Sequence, residues 1–533
     1  MRRILLVLAT LCVSASAARA TPIDQILDNM QQFGFNYFWN EANTTNGMIK
    51  DRMTGNYCSI AAVGFGLSSI CIGIDHGWIT RAQGATRVQT TLNTFWTLPQ
   101  GTATTGTIGY KGFFYHFLHM SDGLRDGTTE LSDIDTALLL AGILDCKQYF
   151  DGSDPTEVSI RALADQIYQR VDWSFFQNTS QNGLMIQWTP ESGFNTGVWK
   201  GYNEMMIMYL LAMGSPTHPV PSADWGTYTS GYVYGTLYGQ TYVQYGALFT
   251  HQYSHCWIDF RNKRDTFMQT HGPSDYFQNS RKATLAQQAY CIANPGPKGT
   301  GFPDPAGYSA TLWGLTAGDD PANGYAAHGA PGPGTFDNGT IGPTAVFGSL
   351  PFAADICLPT IQNIFDSYPS LWGTYGLKDA FNLSRSPDWY DNDFLGIDEG
   401  PIVMMIENYR TASVWSRFMQ NADVLNGMNA AGFVSLVGVD ESTPPQPAVV
   451  QLRSGPNPFR TQTQIGFEIA RPGRVRLTVH DVTGREVARL LDGWLEAGHH
   501  SAIFRADHLG SGVYWYHLDT GDIQTRSRGV LMR

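Results

Sequence analysis

The sequence lacks the residue spacings that hold structural zinc. Its 533 residues include seven cysteines, but none forms a CxxC pair or stands at ligand spacing from a histidine, which argues against a zinc site. No phosphate-binding loop, dinucleotide fingerprint or GxSxG nucleophile motif precedes a helix in the required context. We therefore expect no metal and no cofactor, and the chemistry must come from side chains alone.

Long apolar runs are also scarce. The chain opens with a charged start, an apolar stretch over Ile4–Ala15 and a small-residue cleavage pattern at Ala18–Ala20, which together predict a signal peptide over residues 1–20. No later stretch reaches the roughly 18 apolar residues of a membrane span. We expect a secreted protein, extracellular or at the cell surface, with the periplasm as an alternative. Six cysteines remain after cleavage, and sequence alone does not give their pairing.

Basic residues are in the minority. The chain has 34 Lys and Arg against 46 Asp and Glu, a formal net charge of −12, which disfavours nucleic acid as a partner. The acidic part is rich in Trp, Tyr, Phe, Gly and Asn. This composition suits a neutral ligand with many hydroxyls, such as an oligo- or polysaccharide, because flat rings stack on sugar faces and amides reach hydroxyls. An aromatic-rich core shares the same composition.

Residues 24–432 show the pattern of many helices separated by long loops. Several helices are apolar all round, which predicts burial on both sides, as in the inner ring of a two-layer helical toroid. We therefore predict a mainly α fold, an (α/α)6 barrel over residues 21–437; a helical solenoid is the alternative, but no regular repeat is evident. The predicted helices are Asp24–Trp39, Tyr57–His76, Thr80–Trp96, Ser132–Phe150, Thr156–Val171, Gly201–Met213, Arg281–Ala293, Asp355–Ser367, Glu399–Met419 and Asn421–Ala431, with two more near Gly235–Leu248 and Ala306–Leu315.

Two loops are too long to be simple connectors. Residues 294–305 and 319–343 are crowded with Gly and Pro and also carry aromatic and acidic side chains. Loops of this length are usually functional or disordered. We expect them to form the walls of a cleft.

A second unit follows a linker at residues 438–450, where Pro, Ser and Thr accumulate. Residues 451–533 then switch to short alternating segments separated by Gly and Pro turns. This pattern predicts a small β-sandwich without a catalytic constellation. The predicted strands are Thr463–Ile469, Val475–Asp481, His500–Arg505, Val513–Thr520 and Ile523–Leu531.

Three acidic residues stand at predicted helix starts. Glu204 falls in the first turn of helix 201–213, Asp135 follows a predicted N-cap at Ser132, and Glu399 precedes a Gly-Pro helix start. Helix capping or the helix dipole explains each position by itself. In a toroid, however, the inner helices begin at one end, so the three carboxylates are expected to converge. Converging carboxylates suit glycoside hydrolysis, in which one carboxylic acid protonates the departing oxygen and another activates water or attacks the sugar.

An aromatic and polar segment lies at residues 248–261. His251 and His255 are four residues apart and share one helical face, but no glutamate follows in the metalloprotease pattern. Substrate contacts or a hydrogen-bonded core network are therefore favoured over a metal. The candidate substrate-binding residues are Asp133, Tyr202, His251, Tyr253, His255, Trp257, Asp259 and Arg261.

Four segments of the chain resemble a known family. In chain order they are Glu130–Gly142, Gly201–Pro219, Phe249–Arg261 and Gly400–Arg410. They resemble the bacterial glucoamylase-like domain, which includes glycoside hydrolase family 144. This resemblance implies an (α/α)6 barrel, export, and endo-hydrolysis of β-1,2-glucan with inversion. By motif, Glu204 takes the place of the family's essential glutamate and Asp135 that of its essential aspartate, with the acid and base roles unassigned.

The C-terminal unit resembles the Ig-like sorting domain of secreted bacterial proteins. The matching pieces are Pro456–Phe459, Val475–Asp481 and Gly512–Trp515. This resemblance implies export and recognition by a secretion machinery, without a catalytic role.

The resulting hypothesis is a secreted endo-glucanase acting on β-1,2-glucan through Glu204 and Asp135, with Glu399 assisting. An exo-acting hydrolase of glucoamylase type is the first alternative. A polysaccharide lyase fits less well, because it needs basic groups beside a uronate and this domain is acidic. The alternative without catalysis is a glycan-binding surface protein, in which the three acids only cap helices.

Overall fold

The computed structural model divides the chain into two compact units, Met1–Val439 and Asp440–Arg533. It describes residues 21–195, 197–272, 274–294, 307–330, 336–435, 452–469, 473–482, 485–495, 498–519 and 524–533. The predicted signal peptide, the predicted linker and nearly all of loop 294–305 lie outside the described residues. Among the described residues, no helix combines the length and apolarity that crossing a bilayer requires.

The first unit is mainly helical. Polar caps start several helices: the hydroxyl of Ser59 accepts a hydrogen bond from the Ala62 amide, and that of Ser132 accepts one from the Asp135 amide. The helices are α1 Ile23–Asn40, α2 Ile60–Asp75, α3 Arg81–Thr97, α4 Asp133–Tyr149, α5 Pro155–Arg170, α6 Trp173–Phe176, α7 Met206–Gly214, α8 Ala223–Ser230, α9 Tyr253–Trp257, α10 Thr266–Thr270, α11 Tyr276–Ala293, α12 Thr344–Gly348, α13 Leu350–Ser367, α14 Gly396–Arg410, α15 Ser413–Phe418 and α16 Ala422–Ala430.

These helices form two layers. Within the described residues, α2, α4, α7, α9, α12 and α14 are buried nearly all round. The sequence explains this, since α7 carries no charged residue and all of its side chains are buried. In contrast, α1, α3 and α5 bury one face each. α2 packs against α4 and α14, while α1 lies against α2 and α14 and α3 against α5, so the apolar helices are the inner layer.

Short strands occupy the connections between helices. They are β1 Tyr57–Ser59, β2 Gly109–Tyr110, β3 Phe113–Tyr115, β4 Phe117–His119, β5 Leu131–Ser132, β6 Gln177–Asn178, β7 Gly183–Leu184, β8 Gln187–Thr189, β9 Gly193–Phe194, β10 Tyr234–Leu237, β11 Gln240–Val243, β12 Lys263–Arg264, β13 Ala317–Gly318, β14 Ala326–Ala327, β15 Thr340–Ile341, β16 Trp372–Gly373, β17 Gly376–Leu377, β18 Phe381–Asn382, β19 Trp389–Tyr390 and β20 Val434–Ser435. One antiparallel sheet has the order β2-β3-β5-β8-β9 and pairs Leu131 with both Tyr115 and Trp188. This sheet fixes the chain immediately before α4.

Two predicted helices are wrong. Residues 235–248 contain the β10–β11 hairpin, whose turn residues Tyr238 and Gly239 have φ values of 47° and 77°, and these left-handed conformations end a helix. The described residues 307–315 contain no helix, and an isolated bridge joins Ser309 to Leu312.

The C-terminal unit contains two antiparallel sheets. Its strands are β21 Arg453–Gly455, β22 Gln462–Ile469, β23 Gly473–His480, β24 Glu486–Leu495, β25 Gly498–Arg505, β26 Gly512–Asp519 and β27 Gln524–Leu531. The sheet orders are β21-β22-β25 and β24-β23-β26-β27. Phe467 and Phe504 from the first sheet share one buried cluster with Leu477 and Tyr516 from the second. The sequence pattern predicted β22, β23, β25, β26 and β27 and missed β21 and β24.

Helices α2 and α4 approach so closely that only glycine fits at their crossing. A Cβ on Gly64 would lie 2.2 Å from the carbonyl oxygen of Leu138, and a Cβ on Gly142 would lie 2.0 Å from that of Gly64. Because backbone atoms make these contacts, no side-chain rotation can relieve them. The crossing therefore fixes the position of α4, which carries Asp135.

We expect Gly142→Ala to destabilise the first unit by about 3 kcal/mol or more, as overpacking of a tight core does. The measurement is the thermal unfolding midpoint of the purified full chain. Gly226→Ala is the matched control, because Gly226 lies inside α8 and a Cβ there would meet nothing within 4 Å. Alanine in an open helical position is expected to be neutral or to add up to about 1 kcal/mol. Equal midpoints for the two variants would contradict the close crossing.

Candidate active site

Glu204 lies in the turn that precedes α7. The sequence placed it in the first turn of a helix over 201–213, but the helix begins at Met206, so that part of the prediction is wrong. Tertiary contacts hold the turn, since the Ser254 hydroxyl donates to the Glu204 carbonyl at 3.0 Å and the Gly201 amide donates to the Tyr228 carbonyl at 3.0 Å. Glu204 is therefore not a helix-capping residue, and its side chain is available for other chemistry.

The environment of Glu204 favours its protonated form. Burial raises the pKa of Glu204 to about 7, its own backbone amide opposes this rise, and the negative charge of Asp135 adds to it. A glutamate with such a pKa holds its proton in slightly acidic solution and can release it near neutrality. This is the property that a general acid needs.

Asp135 is buried at the third position of α4, where the sequence predicted it. Its Oδ2 accepts a hydrogen bond from the Ser132 hydroxyl at 2.6 Å and lies 3.6 Å from His116 Nε2. His116 Nδ1 in turn lies 2.8 Å from Glu130 Oε1. Although burial lowers the pKa of His116, the charges of Asp135 and Glu130 raise it to about 9. A charged imidazolium thus lies 3.6 Å from the Asp135 carboxylate at neutral pH.

Asp133 is not available to a ligand, which corrects its prediction as a substrate-binding residue. Its side chain is fully buried, and the Trp199 indole N–H lies 3.2 and 3.1 Å from its two carboxylate oxygens. Burial raises the pKa of Asp133. Asp133 therefore positions Trp199 and the chain that leads to Glu204.

The third predicted carboxylate, Glu399, faces the interior. Its Oε2 lies against Gly34 of α1, where an added Cβ would come within 2.8 Å, and only 2 % of the residue is exposed. Glu399, Asp379 and Asp398 line a cavity of about 10 Å³, which has room for about one water molecule. Burial, and then the charge of Asp379, raise the pKa of Glu399. Its prediction as an assisting catalytic residue is therefore not supported by its position.

The neighbouring residue Asp398 is also buried and lines the same cavity. Burial raises the pKa of Asp398, and the adjacent Asp379 adds to the rise. Burial, then Tyr325 and Asp398, and more weakly Glu204, raise the pKa of Tyr253. The charges of Asp398 and Glu204 thus both act on the phenol of Tyr253.

These groups are part of a larger arrangement that we call the acidic ring. Arg52 connects its two sides: its side chain lies 3.4 Å from Asp51 Oδ2 and 2.8 Å from Asp319 Oδ2. The Asp319 amide donates to Asp379 Oδ2 at 2.7 Å. Burial raises the pKa of Asp51, and the charges of Arg52 and His116 oppose this rise. The ring consists of Glu204, Asp135, His116, Asp51, Arg52, Asp319, Asp379, Asp398 and Tyr253.

Most of the other predicted substrate-binding residues lie in the core. His251, His255 and Trp257 are at most 1 % exposed, and burial lowers the pKa of both histidines to about 3. The Trp257 indole donates to the Ser68 hydroxyl, and the Ser280 hydroxyl lies 3.1 Å from His255 Nε2. The core-network interpretation of this segment is therefore the right one for these three residues.

The remaining predicted substrate-binding residues, Tyr202, Asp259 and Arg261, also make contacts within the protein. Tyr202 is 4 % exposed and packs against the rings of Tyr232 and His251. Asp259 pairs with Arg261 at 2.7 Å, and the Arg261 guanidinium lies over the Trp415 ring. These residues stabilise the fold, and of the predicted set only Tyr253 belongs to the acidic ring.

Sequence reasoning missed several members of the ring, and also Tyr325, which acts on Tyr253 from outside it. Asp319 and Tyr325 lie in the long loop 319–343, which was predicted to form a cleft wall, and Tyr325 is 43 % exposed. The loop length was thus a usable signal for them. His116 and Asp51 stand in short connections, at the end of β3 and before β1, where no local motif marks them.

Comparison with known proteins gives the family. Residues 197–422 match the family model described as "Putative glucoamylase". The structure is similar to "a putative glucoamylase" from Bacteroides uniformis, with a TM-score of 0.69 and 31 % identity, covering 78 % of this chain and 99 % of the other. The chain belongs to the glucoamylase-like family.

Two relatives carry more specific names. The endo-β-1,2-glucanase of Chitinophaga pinensis, solved with sophorotriose and glucose, has a TM-score of 0.68 and 29 % identity, covering 78 % of this chain and 99 % of that one. An exo β-1,2-glucooligosaccharide sophorohydrolase (non-reducing end) of Parabacteroides distasonis is 30 % identical over 442 residues, or 76 % of this chain. The chain spans 57 % of the length of that curated relative.

Proposed function

We propose that this protein is a glycoside hydrolase that cleaves β-1,2-glucan. The observation that carries the proposal is the buried carboxyl group of Glu204, whose pKa burial raises to about 7, together with Asp135, whose charge adds to that rise and whose carboxylate accepts a hydrogen bond from Ser132. The named activities of the two relatives, both directed at β-1,2-linked glucose chains, supply the substrate class. No residue outside the chain is needed for this chemistry.

In the proposed mechanism Glu204 is the general acid and Asp135 the general base. The Glu204 carboxyl donates its proton to the oxygen that links two glucose units as the C1–O bond breaks. Asp135 removes a proton from a water molecule whose oxygen bonds to C1 from the opposite face, so that the anomeric configuration inverts. Asp398 is a third carboxyl group in the acidic ring, and its charge acts on Tyr253. Proton exchange with solvent returns both catalytic groups to their starting states.

We propose endo-action, with exo-action as the second candidate. The endo-acting relative is matched over 99 % of its own length, whereas the exo-acting relative contains much chain that has no counterpart in the match. Regions outside the shared domain are a common means of closing one end of a cleft. The endo-acting relative is therefore the better guide to how this chain cleaves its substrate.

The test is a product profile of the purified protein on linear β-1,2-glucan, beside starch and laminarin. We expect sophoro-oligosaccharides of several lengths from β-1,2-glucan early in the reaction and no release from the other two polymers. Sophorose as the sole early product would favour exo-action. Glucose from starch, or no product from β-1,2-glucan, would overturn the proposal. Proton NMR of the first products tests inversion, since the newly formed reducing end should appear as the α-anomer.

The pH dependence of the reaction should follow Glu204. The acid form of a group with a pKa of about 7 is lost as pH rises, so kcat/KM on sophoro-oligosaccharides should fall above pH 7, by about tenfold per unit once well past the midpoint. Steady-state rates between pH 5 and 9 measure this. Thermal midpoints over the same range are the control for unfolding. A profile that is flat from pH 6 to 9 would contradict the role of Glu204 as the acid.

We also propose that the two units are an (α/α)6 barrel and an Ig-like β-sandwich, and that the protein is secreted. Six inner helices among the described residues support the barrel, and the shared core of the two C-terminal sheets supports the sandwich. The sandwich would be the element that a secretion machinery recognises. Fractionation of the producing cells, with and without residues 451–533, tests this: loss of export for the shortened chain is expected, and unchanged export would contradict it.

A further inference from the structure

Two carboxylates of the acidic ring, Asp319 and Asp379, converge with Asp391 from separate connections. Asp319 follows β13, Asp379 lies between β17 and β18, and Asp391 follows β19. One oxygen of each lies within 4.8 Å of one oxygen of each of the others. This spacing is compatible with a shared cation, because oxygen ligands of Ca²⁺ lie about 2.3–2.6 Å from the ion.

Each carboxylate is held through its other oxygen. Arg52 Nη1 donates to Asp319 Oδ2 at 2.8 Å, the Asp319 amide to Asp379 Oδ2 at 2.7 Å, and the Asn392 amide to Asp391 Oδ1 at 2.7 Å. The remaining oxygens Asp379 Oδ1 and Asp391 Oδ2 are buried and receive no hydrogen bond from a donor among the described residues. Asp379 and Asp391 are thus oriented, and each has one oxygen that can bind a ligand.

A fourth carboxyl group adds to the unbalanced charge. Asp398 is 3 % exposed, lies beside Asp379, and receives no hydrogen bond from a described N–H donor at either oxygen. Arg52 is the basic group paired with this cluster, and its charge is already shared with Asp51 and Asp393. Burying several carboxylates together is costly unless protons or a cation balance them.

We propose that Asp319, Asp379 and Asp391 bind a divalent cation, Ca²⁺, with Asp398 facing the same site. Carboxylate oxygens without cysteine or histidine ligands are the donor set of hard cations. The irregular arrangement from three loops suits the flexible geometry of Ca²⁺ better than the strict octahedron of Mg²⁺. The sequence analysis excluded metals by cysteine and histidine spacing, which does not detect a site built from carboxylates far apart in the chain.

The bound ion would tie loop 319–343 and the β17–β19 segment to the start of α14. Loop 319–343 and the β17–β19 segment are already joined by the pairing of β15 with β18, and the ion would add a further connection. A cation shared by all three should therefore raise the stability of this side of the ring. Its effect is on folding and order, so the site can be tested without any glucan.

The experiment is a calorimetric titration of CaCl₂ into the full chain after treatment with EDTA, with the thermal midpoint measured in parallel. We expect one ion per chain, a Kd of about 0.1–1 mM, as in extracellular calcium modules, and a higher midpoint with Ca²⁺. Asp391→Asn should weaken binding at least tenfold. Asp388→Asn is the matched control, because Asp388 is exposed just before β19, at the other end of the strand that Asp391 follows, and it should bind like the wild type.

Two results would overturn the site. One is no binding heat and no change in midpoint at 10 mM CaCl₂ in the folded wild type; the other is equal Ca²⁺ affinity for the Asp391→Asn and Asp388→Asn variants. An equal response to MgCl₂ would overturn the choice of Ca²⁺. If Asp391→Asn fails to fold, the luminescence of Tb³⁺ bound to the wild type is measured instead. Ca²⁺ should displace the Tb³⁺ and lower this signal, and the absence of a Tb³⁺ signal would overturn the site. Because none of these readouts involves turnover, the proposed hydrolase activity stands or falls separately.

Discussion

Glu204→Gln is expected to lower kcat on β-1,2-glucan by about 10³-fold or more while the protein stays folded. The amide has nearly the shape of the carboxyl group but has no acidic proton to give to the departing oxygen, and general acid catalysis contributes about 10²–10⁴-fold. Because Glu204 lies outside the helix that follows it, no helix cap is lost. The measurements are initial rates and the thermal midpoint of the same preparation.

Two controls separate loss of the acid from general damage. Glu191→Gln makes the same chemical change at the β8–β9 turn, where Glu191 pairs with Arg125 outside the acidic ring, and it should keep most of the activity. An aryl β-sophoroside has a leaving group that needs little protonation, so the rate of Glu204→Gln should recover much more on it than on glucan. Equal losses on both substrates, or a fully active Glu204→Gln enzyme, would exclude Glu204 as the acid.

The second large effect is expected at α14, where adjacent residues should behave oppositely. Asp398→Asn should lower kcat/KM by at least about 10²-fold, because it removes the carboxyl group whose charge acts on Tyr253 in the acidic ring. Glu399→Gln should stay within about tenfold of wild type, since Glu399 lies against α1. Steady-state kinetics of the two variants on sophoro-oligosaccharides make the comparison.

Stability provides an independent check on Asp398. An acid whose pKa is raised in the folded state makes folding less favourable as pH rises from the unfolded pKa toward the folded one. Asp398→Asn removes this penalty, so its thermal midpoint at pH 7.5 should be equal to or above that of wild type. The contradictory outcome is an active Asp398→Asn enzyme together with an inactive Glu399→Gln enzyme, which would return the catalytic assignment to Glu399.

Local signals predicted much of the helical unit. The bounds of α3, α5 and α16 come within one or two residues of the predictions, because their starts are set by the side chains of Thr80, Asp154 and Asn421. Such caps act within a few residues and are visible in sequence. The predicted start of α7 was wrong, because hydrogen bonds of Gly201 and Ser254 with partners far along the chain hold the preceding turn.

The choice between Asp398 and Glu399 shows why the site was harder to predict than the fold. α14 is buried nearly all round, so its sequence has no polar face that would fix its rotation. A rotation of one residue, about 100°, decides which of the two carboxyl groups faces the acidic ring. Packing against α1 and α2 sets that rotation, and the local sequence pattern does not predict this packing.

β24 was missed for a related reason. Its apolar residues Val487, Leu490, Leu491 and Leu495 follow the spacing of a helix rather than that of a strand. The strand accommodates this spacing through irregular register with β23, between Leu477 and Thr478 and between Val479 and His480. An irregular register shifts side chains between faces, so strict alternation is lost.

The burial of every described cysteine has a practical consequence. The six thiols are Cys58, Cys71, Cys146, Cys256, Cys291 and Cys357, and they are distributed over β1, α2, α4, α9, α11 and α13. A thiol reagent should find almost nothing to label in the native protein and should label each site only when its own element opens. Mass spectrometry of pulse-labelled peptides in increasing denaturant would therefore give the order in which the layers separate. The chain carries a built-in set of unfolding reporters, one for each of six structural elements, without any engineered probe.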